Sequence, residues 1–105
     1  MIVYKILPRS QWEAASEAGQ FTGSPVDLAD GFIHFSTADQ LAGTLAKHFA
    51  GQSDLLVLHV DTERLDEICP GKLKFEVSRG GEEFPHLYSD LPLQAVQHVA
   101  PVAAE

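Results

Sequence analysis

The chain should fold as an α+β domain. Strand-like segments outnumber helical ones, and the helical ones come early instead of alternating with strands. Apolar residues make up 45% of the 105 and charged residues only 21%, a globular composition with room for one core, so a single domain over residues 1–105 is expected. Two short runs stand out: Asp30-Gly31-Phe32-Ile33-His34-Phe35-Ser36-Thr37 and Phe84-Pro85-His86-Leu87-Tyr88. They alone set dense polar chemistry on an apolar background.

Residues 2–7 alternate, with Ile2, Tyr4 and Ile6 on one face and Val3, Lys5 and Leu7 on the other, and Pro8 ends the strand. Ser10-Gln11-Trp12-Glu13 fits a capping box, so a helix should open at Ser10 and stop near Gly19. Residues 20–30 read as a loop punctuated by Gly23, Ser24, Pro25 and Asp27. A loop of that length in a small domain serves as a binding or lid segment as readily as a spacer. Within it, Val26-Asp27-Leu28-Ala29 can make one helical turn.

Residues 32–35 form the second strand. Thr37-Ala38-Asp39-Gln40 is a second capping box, and the helix after it carries an apolar stripe of Leu41, Ala42, Leu45, Ala46 and Phe49. Residues 55–60 are apolar at nearly every position, which predicts a central strand covered on both faces. Residues 61–65 look like a short capped helical turn. Residues 72–78 alternate, with Leu73, Phe75 and Val77 expected inward and Lys72, Lys74 and Glu76 on the other face. Arg79-Gly80-Gly81 turns the chain, and residues 82–88 run extended or irregular around Pro85. Residues 93–102 read as a last strand, with Pro101 ending it at an edge.

Seven Lys and Arg face fifteen Asp and Glu, for a net charge of −8. Phosphate neutralisation supplies much of nucleic-acid affinity, and no basic cluster exists here, so no nucleic-acid partner is expected. Cys69 is the only cysteine and cannot form an internal disulfide. It reads as a small turn or buried residue, because a reactive thiol needs an electropositive setting. The start lacks the basic and long apolar regions of a signal peptide, and no apolar run reaches the ~20 residues of a membrane span. A cytoplasmic protein without membrane contact is expected.

Among residues that could carry chemistry, His34 shares a strand face with Phe32 and Ser36, beside a helix start whose amides suit an anion. It reads equally as a core histidine bonded to a carbonyl. His86 lies between Phe84 and Tyr88, whose rings could sandwich a flat ligand; the plainer alternative is a proline-kinked edge segment plugging the core. Glu76 is either a solvated carboxylate or a general base pointing into a cleft. Arg79 is either a surface cation or a phosphate contact. The five histidines are spaced 14, 11, 27 and 12 residues apart, which includes no helical i, i+4 pair and no H-x-H pair. A metal-dependent hydrolase has that spacing against it, so no metal is expected.

Trp12, the Asp30-to-Thr37 run, Gln40, Glu76 and the Phe84-to-Tyr88 run together resemble the small bacterial and plant family known as domain of unknown function 952. The likeness covers nearly the whole chain. It implies an ADP-ribosyltransferase-like split β-sheet with two early helices packed on it, and NAD or a related nucleotide held in a cleft between two small sheets. Catalytic roles would fall to His34, Glu76 and His86. Ligand contacts would come from Trp12, Ser36, Thr37, Gln40, Arg79 and Tyr88. The activity implied is ADP-ribosyl transfer or cleavage of the NAD glycosidic bond. Unlike such transferases, the chain has no E-x-E or Q-x-E pair on a late strand. A rival reading is therefore a non-catalytic ligand-binding or interaction module that keeps the pocket.

Overall fold

A computed structural model of the chain describes residues 1–78 and 80–102. In chain order the elements are β1 (Ile2–Pro8), α1 (Arg9–Ala18), β2 (Gln20–Phe21), α2 (Pro25–Asp30), β3 (Ile33–His34), α3 (Leu41–His48), β4 (Leu55–Asp61), α4 (Thr62–Ile68), β5 (Leu73–Val77), β6 (Glu83–Leu87), β7 (Leu91–Pro92), a 3-10 turn (Leu93–Ala95) and β8 (Val96–Pro101). The mixed α+β class is as expected, and the helical turns read at 26–29 and 61–65 are full helices, α2 and α4, beside the two early ones.

The apolar run 55–60 becomes β4, at the centre of a three-stranded antiparallel sheet ordered β1-β4-β8. Its pleat sends Leu56, Leu58 and Val60 into the main core, with Val3 and Leu7 of β1. Leu55 and Val57 go to the opposite face, where Leu41 and Leu45 of α3 and Phe49 just after it cover them. Ala42 and Ala46, read as part of that stripe, are exposed. The main core is closed by Ala15 of α1, Leu65 of α4, and Ile33, Phe35 and Leu87 from a second sheet. That second sheet is ordered β3-β6-β5, and β2 pairs with β7 in a small third one.

Three local expectations are corrected. Helix α1 opens at Arg9, not Ser10, and carries no side-chain cap. Instead the Arg9 amide donates to the Asp54 carbonyl and the guanidinium to the Asp54 carboxylate, so the loop before β4 caps the helix from outside. Gly19, in the left-handed region at φ 88°, ends it as expected. The loop at 20–30 holds both β2 and a full α2, opened by a capping box between Ser24 and Asp27 with proline at the first turn. Finally, residues 82–88 are not an edge: β6 is the central strand of its sheet, with Pro85 in the middle.

Pro85 decides where β3 stops. The Phe35 amide donates to the Pro85 carbonyl at 2.9 Å, but proline has no N–H to return to Phe35. The next residue changes sheets, and Ser36 exchanges both backbone hydrogen bonds with Tyr4 of β1 at 2.8 Å. His34 therefore sits where the chain crosses from one sheet to the other. Near the C-terminus, the 3-10 turn occupies the start of what read as one strand over 93–102, leaving β8 at the edge beside β4, and β7 lies before it. No helix among the described residues is long and apolar enough to cross a membrane.

The same substitution should separate core from surface. Leu58→Ala, at a fully buried position, is expected to cost about 2–5 kcal/mol of unfolding free energy. Leu28→Ala, at a position 64% exposed, should change stability by under about 0.5 kcal/mol. Urea denaturation measures both.

Candidate functional site

The site begins with a buried ion pair. Lys5 shares the inward face of β1 with Val3 and Leu7, so its ammonium enters the core and needs a partner. Asp27 of α2 provides it, with Lys5 Nζ at 3.0 Å from Oδ1 and 2.8 Å from Oδ2, and with its side chain only 1% exposed. The Ser24 amide donates to Oδ2 at 2.8 Å, the His34 amide to Oδ1 at 3.1 Å, and His34 Nδ1 meets Oδ1 at 2.7 Å. Burial raises the Asp27 carboxyl; the His34 hydrogen bond and the Lys5 charge outweigh it and hold the group below its ordinary value. Lys5 has this one carboxylate against the loss of its water, and burial draws it below the ordinary lysine value.

An ionised carboxylate only accepts, so the proton between Asp27 and His34 lies on Nδ1. Nε2 then faces out of the core, 2.9 Å from Asp30 Oδ2, a carboxylate at the mouth that is 48% exposed. A second carboxylate–imidazole pair lies beside it. His86 Nδ1 is 2.9 Å from Glu76 Oε1, which also accepts a 2.6 Å hydrogen bond from the Tyr88 hydroxyl. The Tyr88 hydrogen bond first, and His86 second, hold Glu76 below its ordinary value, and the same bond raises Tyr88. Glu76 Oε2 accepts from no protein donor among the described residues.

Strand register explains the meeting of the two histidines. His34 pairs with His86 across β3 and β6. The neighbouring Phe35 and Pro85 carry the inter-strand hydrogen bond, so His34 and His86 face each other at a non-hydrogen-bonded position, where side chains stand closest. Their ring centroids are 5.5 Å apart. Phe32 stacks on His86 at 4.1 Å and tilts against His34 at 4.6 Å and Tyr88 at 5.2 Å. A groove of about 220 Å³ opens beside this cluster, lined by Thr22, Leu28, Phe32, Leu87, Tyr88 and Asp90 among others.

The structure thus brings His34, Glu76, His86 and Tyr88 onto one face. It puts four other expected ligand contacts elsewhere. Trp12 packs against the main core from α1. Ser36 is buried and its hydroxyl bonds Thr44 of α3 at 2.8 Å. The Thr37 amide donates to Gln40 Oε1, and Gln40 Nε2 to the Glu83 carbonyl, so these two fasten the start of α3 to β6. Arg79 lies outside the described residues. Phe75 and Val77, read as inward, are exposed, because the core face of the second sheet runs past the edge of the core. No group of three or more His, Cys, Asp or Glu among the described residues is placed to hold a metal ion. Cys69 donates to the Leu65 carbonyl at the end of α4.

Sequence reading passed over Lys5 and Asp27 as members of the site, and took Asp30 only as the start of its run. Two signals pointed to them: a lysine between two apolar residues on one strand face, and the Ser24-Pro25-Val26-Asp27 helix opening.

A family model described as "Protein of unknown function (DUF952)" matches residues 6–99. The crystal structure of CC0527 from Caulobacter crescentus is similar over 100% of this chain and 89% of its own, at 47% identity and a TM-score of 0.92. The solution NMR structure of CC0527 is similar over 99% of this chain and 86% of its own, at 48% identity and a TM-score of 0.84. No curated protein matches the sequence.

Asp27 also sets a pH dependence. Its folded-state value is lowered, so its contribution to stability is complete above the unfolded value of about 4. That contribution is lost as pH falls through the lowered folded value. Asp27→Asn should cost about 3–5 kcal/mol near neutral pH, because Lys5 is left buried without its carboxylate. The gap to wild type should close as pH falls below about 4. Denaturation curves across the acid range measure it.

Proposed function

The chain belongs to the DUF952 family, and we propose that this member binds NAD or a related nucleotide at the His34–His86 face and acts on its glycosidic bond. The observation that carries the reading is the convergence of two carboxylate-steered imidazoles, a tyrosine and a carboxylate with a free oxygen beside an aromatic-walled groove. We read the paired sheets, joined by the crossing at Phe35 and Ser36, as an ADP-ribosyltransferase-like split sheet with the cleft at the crossing.

The charge at the site suits the chemistry. Asp30, Glu76 and Asp90 lie around the histidines and the groove, which favours a ligand that is or becomes positive on that side. In NAD the nicotinamide ring is a cation. As the bond from C1′ to the ring nitrogen breaks, its electron pair leaves with nicotinamide and the ribose becomes an oxocarbenium ion. Glu76 Oε2 would face that charge. Water, or a nucleophile on an acceptor, then adds to C1′ and gives up its proton, to Glu76 and on to solvent. His34 Nε2, now on the exposed Asp30, is the atom for a ribose hydroxyl to take over, which orients the sugar. The exposed face of Tyr88 offers a stacking surface for a flat ring.

One observation favours the second reading, a binding module without chemistry. Strand β5 supplies a single glutamate to the site.

Incubation with NAD, following free nicotinamide, separates the two. Turnover that Glu76→Gln lowers by about 10²–10⁴-fold is the expected result. A rise in melting temperature with NAD and no turnover supports the module. Neither turnover nor a thermal shift contradicts both.

A further inference from the structure

The outer edge of β5 is a second feature the site does not use. Strand β5 lies at the edge of its sheet. On the inner side, the Tyr88 amide donates to the Lys72 carbonyl at 2.9 Å and the Ser78 amide to the Glu82 carbonyl at 2.8 Å. Backbone groups alternate in direction along a strand, so those of Leu73, Phe75 and Val77 point outward. None of the three has a backbone partner on that side among the described residues. Their side chains share one face, on which Phe75 is 41% exposed and Val77 67% exposed. An open edge with apolar side chains is a template for another strand.

The sequence of β5 says which strand. We propose that two copies of this chain pair antiparallel through β5, about a two-fold axis at Phe75. In that register Phe75 faces its own copy and Leu73 faces Val77, each pair exchanging backbone hydrogen bonds. Lys74 of each copy lies opposite Glu76 of the other, giving two cross-strand pairs of opposite charge. Neighbouring registers fail. Centring on Lys74 or Glu76 sets like charges face to face, and a shift by one residue sets Phe75 against a charged side chain. Self-complementarity of the segment Leu73-Lys74-Phe75-Glu76-Val77 is what singles out a second copy over an unrelated strand.

Pairing would also place Lys74 of the second copy beside Glu76, at the rim of the histidine cluster. The dimer does not rest on the nucleotide reading, since its evidence is the edge and the register.

Sedimentation velocity over a range of concentrations tests it. Wild type is expected at the mass of two chains. Val77→Lys, at an exposed position, should be monomeric and folded. Lys74→Glu alone and Glu76→Lys alone should each be monomeric through repulsion, and an equimolar mixture should form a heterodimer in which both charge pairs are attractive. A wild-type protein that stays monomeric at every concentration overturns the proposal. So does a Val77→Lys protein that remains dimeric, which would put the interface elsewhere. A mixture that stays monomeric overturns the register. If Glu76→Lys fails to fold, Val77→Lys alone decides.

Discussion

Asp27 takes hydrogen bonds from three directions: the Lys5 ammonium on β1, the Ser24 amide at the head of its own helix, and the amide and imidazole of His34 on β3. Each donor comes from a different element, so one carboxylate fixes how α2 lies against both. A buried ion pair gains little net stability, since the loss of water offsets most of the attraction. Its effect here is positional. A well-packed apolar pair could hold α2 as firmly, but only an acceptor orients the imidazole and leaves Nε2 toward the mouth. The same contact makes α2 intolerant of a slip by one residue, which would bury Val26 or Leu28 against a bare ammonium.

The second histidine is held by a different and looser device. Glu76 lies on an edge strand, half exposed, and its Oε1 gathers both His86 and Tyr88. The two imidazoles therefore differ in setting: His34, itself partly exposed, is anchored to a buried carboxylate, and the buried His86 is bonded to a carboxylate at the rim. Between them Phe32 touches both rings and Tyr88, so the cluster packs as a unit. The strand crossing that joins the two sheets is what supplies the unlike environments.

Much of this was legible in the sequence, and the misses have physical causes. Residues 55–60 and the α3 stripe were readable because burial on two faces or on one stripe leaves a strong pattern. His34 and His86 were readable as a pair of runs, though not their contact, which needs strand register. Phe75 and Val77 misled, since alternation reports which face a residue takes and not whether the core reaches that far along it. Pro85 suggested an edge, yet its lost N–H would face β3 at the pair where that strand ends, so the central strand forgoes a single ladder hydrogen bond and keeps its pairing with β5. Ser10 looked like a cap, but Asp54, distant in sequence, took over that task. The Lys5–Asp27 pair joins residues 22 apart, so each residue leaves a local signal but nothing local joins the two.

Both histidines are held through Nδ1 by a carboxylate, which leaves each Nε2 for another partner. Long-range proton–nitrogen NMR of the imidazole rings reads this directly. Nδ1 of His34 and of His86 is expected to carry the proton toward Asp27 and Glu76. Adding NAD is expected to move the Nε2 signals of both rings together. Rings protonated only at Nε2, or an NAD titration that leaves both Nε2 signals in place while other residues respond, would contradict it.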